Sequence, residues 1–149
     1  MLKLILALST LALTLTAKAA PINELKSCEE AHFGLTEILA PSADTYRAFY
    51  NNQVNVYAVD TIEPACCSQG LAIVIPDQTA ELGGVSKCFA IGHLSGVSVK
   101  GAKSSYDAVR GLLIAFPVKS YDPETGATKP AGLLKVRVNL KTATVILEN

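Results

Sequence analysis

Four cysteines, two histidines and one run of aromatics and amides hold most of the chemical means of this 149-residue chain. The cysteines are Cys28, Cys66, Cys67 and Cys88, an even number that suits two disulfides in an oxidising compartment. A C-x-x-C redox motif needs two residues between its thiols, and a zinc site needs paired ligands at such spacing and more of them, so neither requirement is met. A bridge between the neighbours Cys66 and Cys67 would be strained. Cys28 and Cys88 are therefore each expected to take one partner from the adjacent pair, with the assignment open, which makes Cys66-Cys67 a hub holding two segments at one point. Each bridge would close about twenty to forty residues and stabilise by roughly 3 to 4 kcal/mol in the loop-entropy treatment.

The histidines offer little more. Gly92-His93-Leu94-Ser95-Gly96 has Ser and Gly out of register for the G-x-S-x-G elbow, and a strand histidine does not readily act as base for its near neighbour. His32 lies beside acids at the start of an expected helix and reads as a solvated or capping side chain. The carboxylates Asp60, Glu63, Asp77, Glu81 and Asp107 are scattered, with no two singled out for glycoside chemistry. G-x-G-x-x-G, the Walker loop and H-E-x-x-H are all missing. No catalytic residue, metal ligand or cofactor is assigned.

Tyr46-Arg47-Ala48-Phe49-Tyr50-Asn51-Asn52-Gln53 is the most suggestive patch. Its aromatics provide stacking area, its Arg a planar fork and its amides paired donors and acceptors, which together suit a sugar, a peptide or another protein. The candidate ligand-binding or partner-binding residues are Tyr46, Arg47, Tyr50, Asn51 and Asn52. Tyr121, with the loop running on to Pro130, gives a second candidate surface. The competing reading is helical: Tyr46, Phe49 and Tyr50 then fall at i, i+3 and i+4, a face that would pack on a sheet.

These residues need a scaffold, and its start is a leader. Lys3, an uncharged and mostly apolar run from Leu4 to Ala17, and the small-x-small Ala17-Lys18-Ala19 read as a secretory signal over 1–19. That run is short of the roughly 20 apolar residues that span a bilayer, so no stable membrane anchor is expected after cleavage. Removing residues 1–19 from 149 leaves a single exported domain, 20–149, of 130 residues. The 13 basic residues lose Lys3 and Lys18, so 11 face 13 acidic ones and the net charge becomes −2. Without a basic cluster, nucleic acid is not an expected partner. The apolar half of the chain (50%) excludes intrinsic disorder.

Along the domain, Ser27-Cys28-Glu29-Glu30 matches a capping box, and Cys28, His32, Leu35 and Leu39 recur near helical spacing until Ala40-Pro41. From Ser42 to Tyr50 a second short helix is expected, capped by Ser42 or Asp44, with an ordered loop as the alternative. Strands then dominate. Val54 to Val59 alternates, Leu71 to Ile75 suits a strand buried on both faces, and Lys87 to His93 and Leu94 to Lys100 are further strands. Gly101 to Ser105 reads as a polar loop. Val109 to Val118 reads as a strand with a bulge or at an edge, because it holds Gly111 and Pro117. Asp122 to Gly126 is a turn, Leu134 to Leu140 alternates with period two, and Thr142 to Leu147 completes a C-terminal hairpin.

The expected fold is α+β: a mainly antiparallel sheet, small barrel or sandwich with one or two N-terminal helices, braced by two disulfides. The expected function is an exported, non-catalytic binding or inhibitor-like protein of the periplasm, cell envelope or extracellular space, with a protein or carbohydrate partner. The alternatives are a small secreted hydrolase built around His93, and a structural subunit that assembles through exposed sheet edges.

Overall fold

The computed structural model describes residues 24–62, 66–81 and 83–148, so the leader over 1–19 lies outside the described residues. Among the described residues, ten antiparallel strands form two sheets. In the first, the order is β1 (Leu25–Ser27), β5 (Ser86–Leu94), β4 (Gln69–Pro76), β3 (Val54–Asp60) and β2 (Tyr46–Phe49). In the second, β10 (Thr144–Glu148), β9 (Thr128–Asn139), β8 (Gly111–Tyr121) and β6 (Gly96–Val97) follow one another, and β7 (Lys103–Asp107) pairs with β8 beside β6. The described residues contain no helix, which corrects α+β to all-β.

One core lies between the sheets. Val54, Val56, Leu71, Ile73, Ile75 and Ile91 from the first sheet pack with Leu112, Ile114, Phe116, Val136, Val138 and Val145 from the second. Period-two alternation produces this face, as in β9, where Leu134, Val136 and Val138 turn inward between Lys135, Arg137 and Asn139. β4 is apolar on both faces because a strap covers its back. Cys28, Ala31, Phe33 and Ile38 pack there on Val59, Ala72 and Ala90. Gly70 makes room for the strap: a Cβ there would meet the Ile91 carbonyl at 2.5 Å and the Phe33 ring at 3.0 Å.

Both expected helices are single turns. The capping box does form, since Ser27 N–H donates to Glu30 Oε2 (3.0 Å) and Glu30 N–H to Ser27 Oγ (3.1 Å). It caps one turn, Ala31 N–H to Ser27 C=O (3.0 Å), after which His32 enters the left-handed region at φ 55°. A lone turn leaves helix nucleation uncompensated, and here packing Phe33 against Gly70 and Gly92 decides the path instead. At the second site, Tyr46 N–H closes one turn on Ser42 C=O (2.9 Å), and the chain then extends as β2 in register with β3, Tyr46 opposite Tyr57 and Phe49 opposite Val54. The interstrand ladder wins over a weak local preference.

β8 is a central strand, which corrects the edge reading, and the bulge expected within it falls on its partner: Val118 pairs with Gly132 and Lys119 with Pro130, which leaves Ala131 of β9 as the extra residue. Pro117 sits where β8 changes partner from β7 to β6. Its carbonyl accepts from Ser98 N–H (2.9 Å), so the N–H that proline lacks would have pointed at the gap between those two strands. The 101–105 loop is largely β7, whose residues are all exposed and so give no alternation to read.

Candidate functional site

Strand direction brings four loops to one end of the sandwich: β2 to β3 (50–53), β4 to β5 (77–85), β7 to β8 (108–110) and β9 to β10 (140–143). Each is held by its own short-range bonds. In the first, Asn55 Nδ2 donates to Asn52 C=O (3.1 Å) and Tyr46 Oη to Asn55 Oδ1 (2.8 Å). Asp77 Oδ1 accepts from Thr79 N–H (3.0 Å) and Oγ1 (2.5 Å), and the Thr79 hydroxyl first of all holds the Asp77 carboxyl below its ordinary range. Asp107 Oδ1 accepts from the Val109 and Arg110 N–H groups (2.8 Å each), which lower its pKa in the same way. Asn139 Oδ1 accepts from Lys141 N–H (3.0 Å) and Thr142 N–H (3.4 Å).

Among these loops lies a cleft of about 280 Å³. Tyr50, from the first sheet, stacks on Tyr106, from the second, with ring centroids 5.2 Å apart and planes 19° from parallel. Both residues are exposed, Tyr50 at 43% and Tyr106 at 58%. The neighbouring Tyr50 hydroxyl raises the Tyr106 phenol above its ordinary range. Gln53, Gln78, Asn139 and Lys141 line the same space over an apolar floor that includes Leu112. No hydrogen bond among the described residues engages the Gln53 or Gln78 carboxamide or the Lys141 ammonium.

Tyr50, Asn51 and Asn52 are consecutive left-handed residues, at φ 49°, 53° and 62°. A non-glycine residue in this region costs about 1 to 2 kcal/mol, less for Asn, whose short polar side chain suits it. The rest of the fold stabilises this conformation, and its local product is the direction of the Tyr50 ring.

The sequence patch is thereby divided. Tyr50, Asn51 and Asn52 belong to the loop end. Tyr46 lies on the outer face of the first sheet against Tyr57, at 4.9 Å. Arg47, pointing the other way, stacks over Phe49 and donates to the Lys100 (3.3 Å) and Ala102 (2.5 Å) carbonyls. Strand alternation separates what a helical reading would have placed together. Tyr121 is exposed where β8 leaves for the Asp122 turn, at the opposite end. Tyr106, Gln78, Asn139 and Lys141 are new to the site. Their only sequence signal is that each lies in or next to a turn carrying an Asp or Asn.

The cysteines pair otherwise than expected, Cys28 with Cys88 and Cys66 with Cys67. The register explains this. Ser27 lies opposite Phe89, so the next residue, Cys28, meets Cys88 and its N–H donates to the Cys88 carbonyl (3.1 Å). Gln69 pairs with Leu94, six residues of strand beyond Cys88, about 20 Å. The adjacent pair is out of reach and closes a ring on itself, with Cys67 at φ 80° and its Sγ 3.3 Å from Ser95 Oγ. It is no hub.

His93 is exposed at φ 59°, and no carboxylate or hydroxyl among the described residues hydrogen-bonds its ring. A second, larger cleft of about 610 Å³ lies between β6 and the 128–130 segment, but much of its polar lining is already committed. Gln69 Oε1 accepts from Val97 N–H (3.1 Å), Ser98 Oγ from Gly101 N–H (3.0 Å), and Lys100 pairs with Asp44 (3.0 Å). The tyrosine cleft is thus the better-equipped candidate. Comparison of the chain with protein-family models, with curated proteins and with solved structures finds no match, so the candidate site rests on this geometry alone.

Proposed function

We propose that the protein is an exported, non-catalytic binding module that holds its ligand at the loop-bearing end of the sandwich, across Tyr50 and Tyr106. The stacked, solvent-open tyrosine pair carries this reading. Large aromatic surfaces left open in a folded domain supply binding area at little cost in side-chain entropy. Loops already ordered by their own hydrogen bonds lose little freedom when a ligand arrives. Export is supported by the leader-like residues 1–19, and disulfide-bonded cysteines are compatible with an oxidising compartment.

The test is an array carrying both short peptides and glycans, probed with labelled wild-type protein and with Y50A/Y106A. The wild type is expected to retain a defined set of features that the double variant loses. Equal retention by both proteins would overturn the assignment of the site. Export is tested separately by intact mass from the native host, where cleavage after Ala19 is expected and a full-length species at steady state would contradict it.

A further inference from the structure

We infer that the tyrosine cleft takes a neutral sugar ring, one unit of an oligosaccharide, stacked by its C–H face on the tyrosine pair. This rests on the binding role proposed above and specifies its ligand. The first argument is shape. At about 280 Å³ the cleft lies at the small end of ligand sites, room for one ring with the rest of a chain lying outside over the exposed loops.

The second argument is the chemistry of the lining. A pyranose offers an apolar C–H face ringed by hydroxyls, each both donor and acceptor. It is matched by flat aromatic surface beside groups that can also do both. The open face of the tyrosine pair provides the first, and the unengaged carboxamides of Gln53 and Gln78, each with two donors and an acceptor, provide the second. Asn139 Oδ1 is occupied by its own loop, which leaves Nδ2 as a donor.

The third argument separates sugar from peptide. A peptide in extended form gains affinity by pairing its backbone with unpaired backbone groups. At this end several loop N–H groups are already taken, those of Thr79, Val109, Arg110, Lys141 and Thr142 by the Asx side chains of their own loops. Side chains are left to do the recognising. Among the described residues the lining contains no carboxylate and a single cation, Lys141, which does not make a multi-cation site for a polyanion.

The experiment is a ¹⁵N NMR titration of the mature, disulfide-intact protein with the tetrasaccharides of β-1,4-glucose, α-1,4-glucose, β-1,4-N-acetylglucosamine, β-1,4-mannose and β-1,4-galactose, plus a tetramer of galacturonic acid. At least one neutral tetramer is expected to shift signals of the 50–53, 78, 106 and 139–141 segments together. Y50A/Y106A is expected to weaken that binding by about tenfold or more. Q53A/Q78A, which alters two exposed side chains and keeps both rings, is expected to weaken it by about fivefold with an otherwise unchanged spectrum. No shift with any neutral tetramer overturns the inference. Binding of the galacturonate tetramer alone, lost in K141A, also overturns it, by assigning the cleft to an anion. Tyrosine-dependent retention of peptides alone on the array would remove the sugar and leave the binding role standing. Tyrosine-independent behaviour in both assays would remove both.

Discussion

The two disulfides should be grossly unequal in worth. Cys28 and Cys88 are 60 residues apart in the chain, so their bridge removes a large loop from the unfolded ensemble, and the chain-entropy treatment gives about 4 kcal/mol at 25 °C for a loop of that size. Cys66 and Cys67 are neighbours, and the same treatment gives their bridge only about 1 kcal/mol. C28A/C88A is therefore expected to lose about 4 kcal/mol, a large part of the 5 to 15 kcal/mol of a typical domain, whereas C66A/C67A should stay within about 1 kcal/mol of wild type. Urea unfolding followed by circular dichroism measures both. The slope with urea should steepen in C28A/C88A alone, because an unclamped denatured chain exposes more surface. Had each outer cysteine paired with one of the adjacent two, either double variant would remove both bridges, and C66A/C67A would be destabilised about as much as C28A/C88A. That result, or a proteolytic map joining Cys28 to the 66–67 peptide, would refute the register argument.

Three further outcomes follow from packing and charge. F116A empties a fully buried position shared by both sheets and is expected to cost about 3 to 5 kcal/mol in the same urea assay. G70A should lower stability, and F33A/G70A should be less stable than F33A alone, because removing the ring relieves the 3.0 Å contact and leaves those with the Ile91 carbonyl at 2.5 Å and Val59 Cγ2 at 2.9 Å; equal stability of F33A and F33A/G70A would disprove the backbone clash. Arg137, buried on β9, donates to both Glu148 oxygens (Nε 2.8 Å, Nη2 3.0 Å), and Arg110 joins them, so Glu148 titrates below its usual 4.5, chiefly through the Arg137 hydrogen bonds. A carboxylate depressed in the folded state lends stability above its unfolded pKa and loses it as pH falls through the folded one. The urea midpoint should thus drop below pH 4.5, and E148Q should start lower at pH 7 and fall less; parallel curves would count against this role for Glu148.

What the sequence makes legible is whatever one strand determines alone. The alternation of Leu134, Val136 and Val138, the two-sided apolar run in β4 and the Asp122 to Gly126 turn all carry their structure in local spacing. Tyr46 to Tyr50 does not, because aromatic spacing at i, i+3 and i+4 satisfies a helix while pairing with β3 satisfies the backbone better. β7 is silent because none of its residues is buried. The cysteine pairing depends on how β1 is registered on β5, a long-range choice absent from local pattern. The same holds for the cleft. Tyr50 was identifiable by type, but Gln78, Tyr106 and Asn139 reach it only through the order of strands in two sheets.

The Cys28–Cys88 bridge also divides the molecule mechanically. A pull on the two ends passes through the sulfurs, so residues 29–87, with β2, β3 and β4, lie off the load path and about 200 Å of contour length stays locked. The second sheet has no such shunt. Tyr50 sits inside the protected ring and Tyr106 outside it, which places the boundary between shielded and extensible chain across the stacked pair. A ligand held there on an anchored protein would be released by tension that left the first sheet's central strands folded.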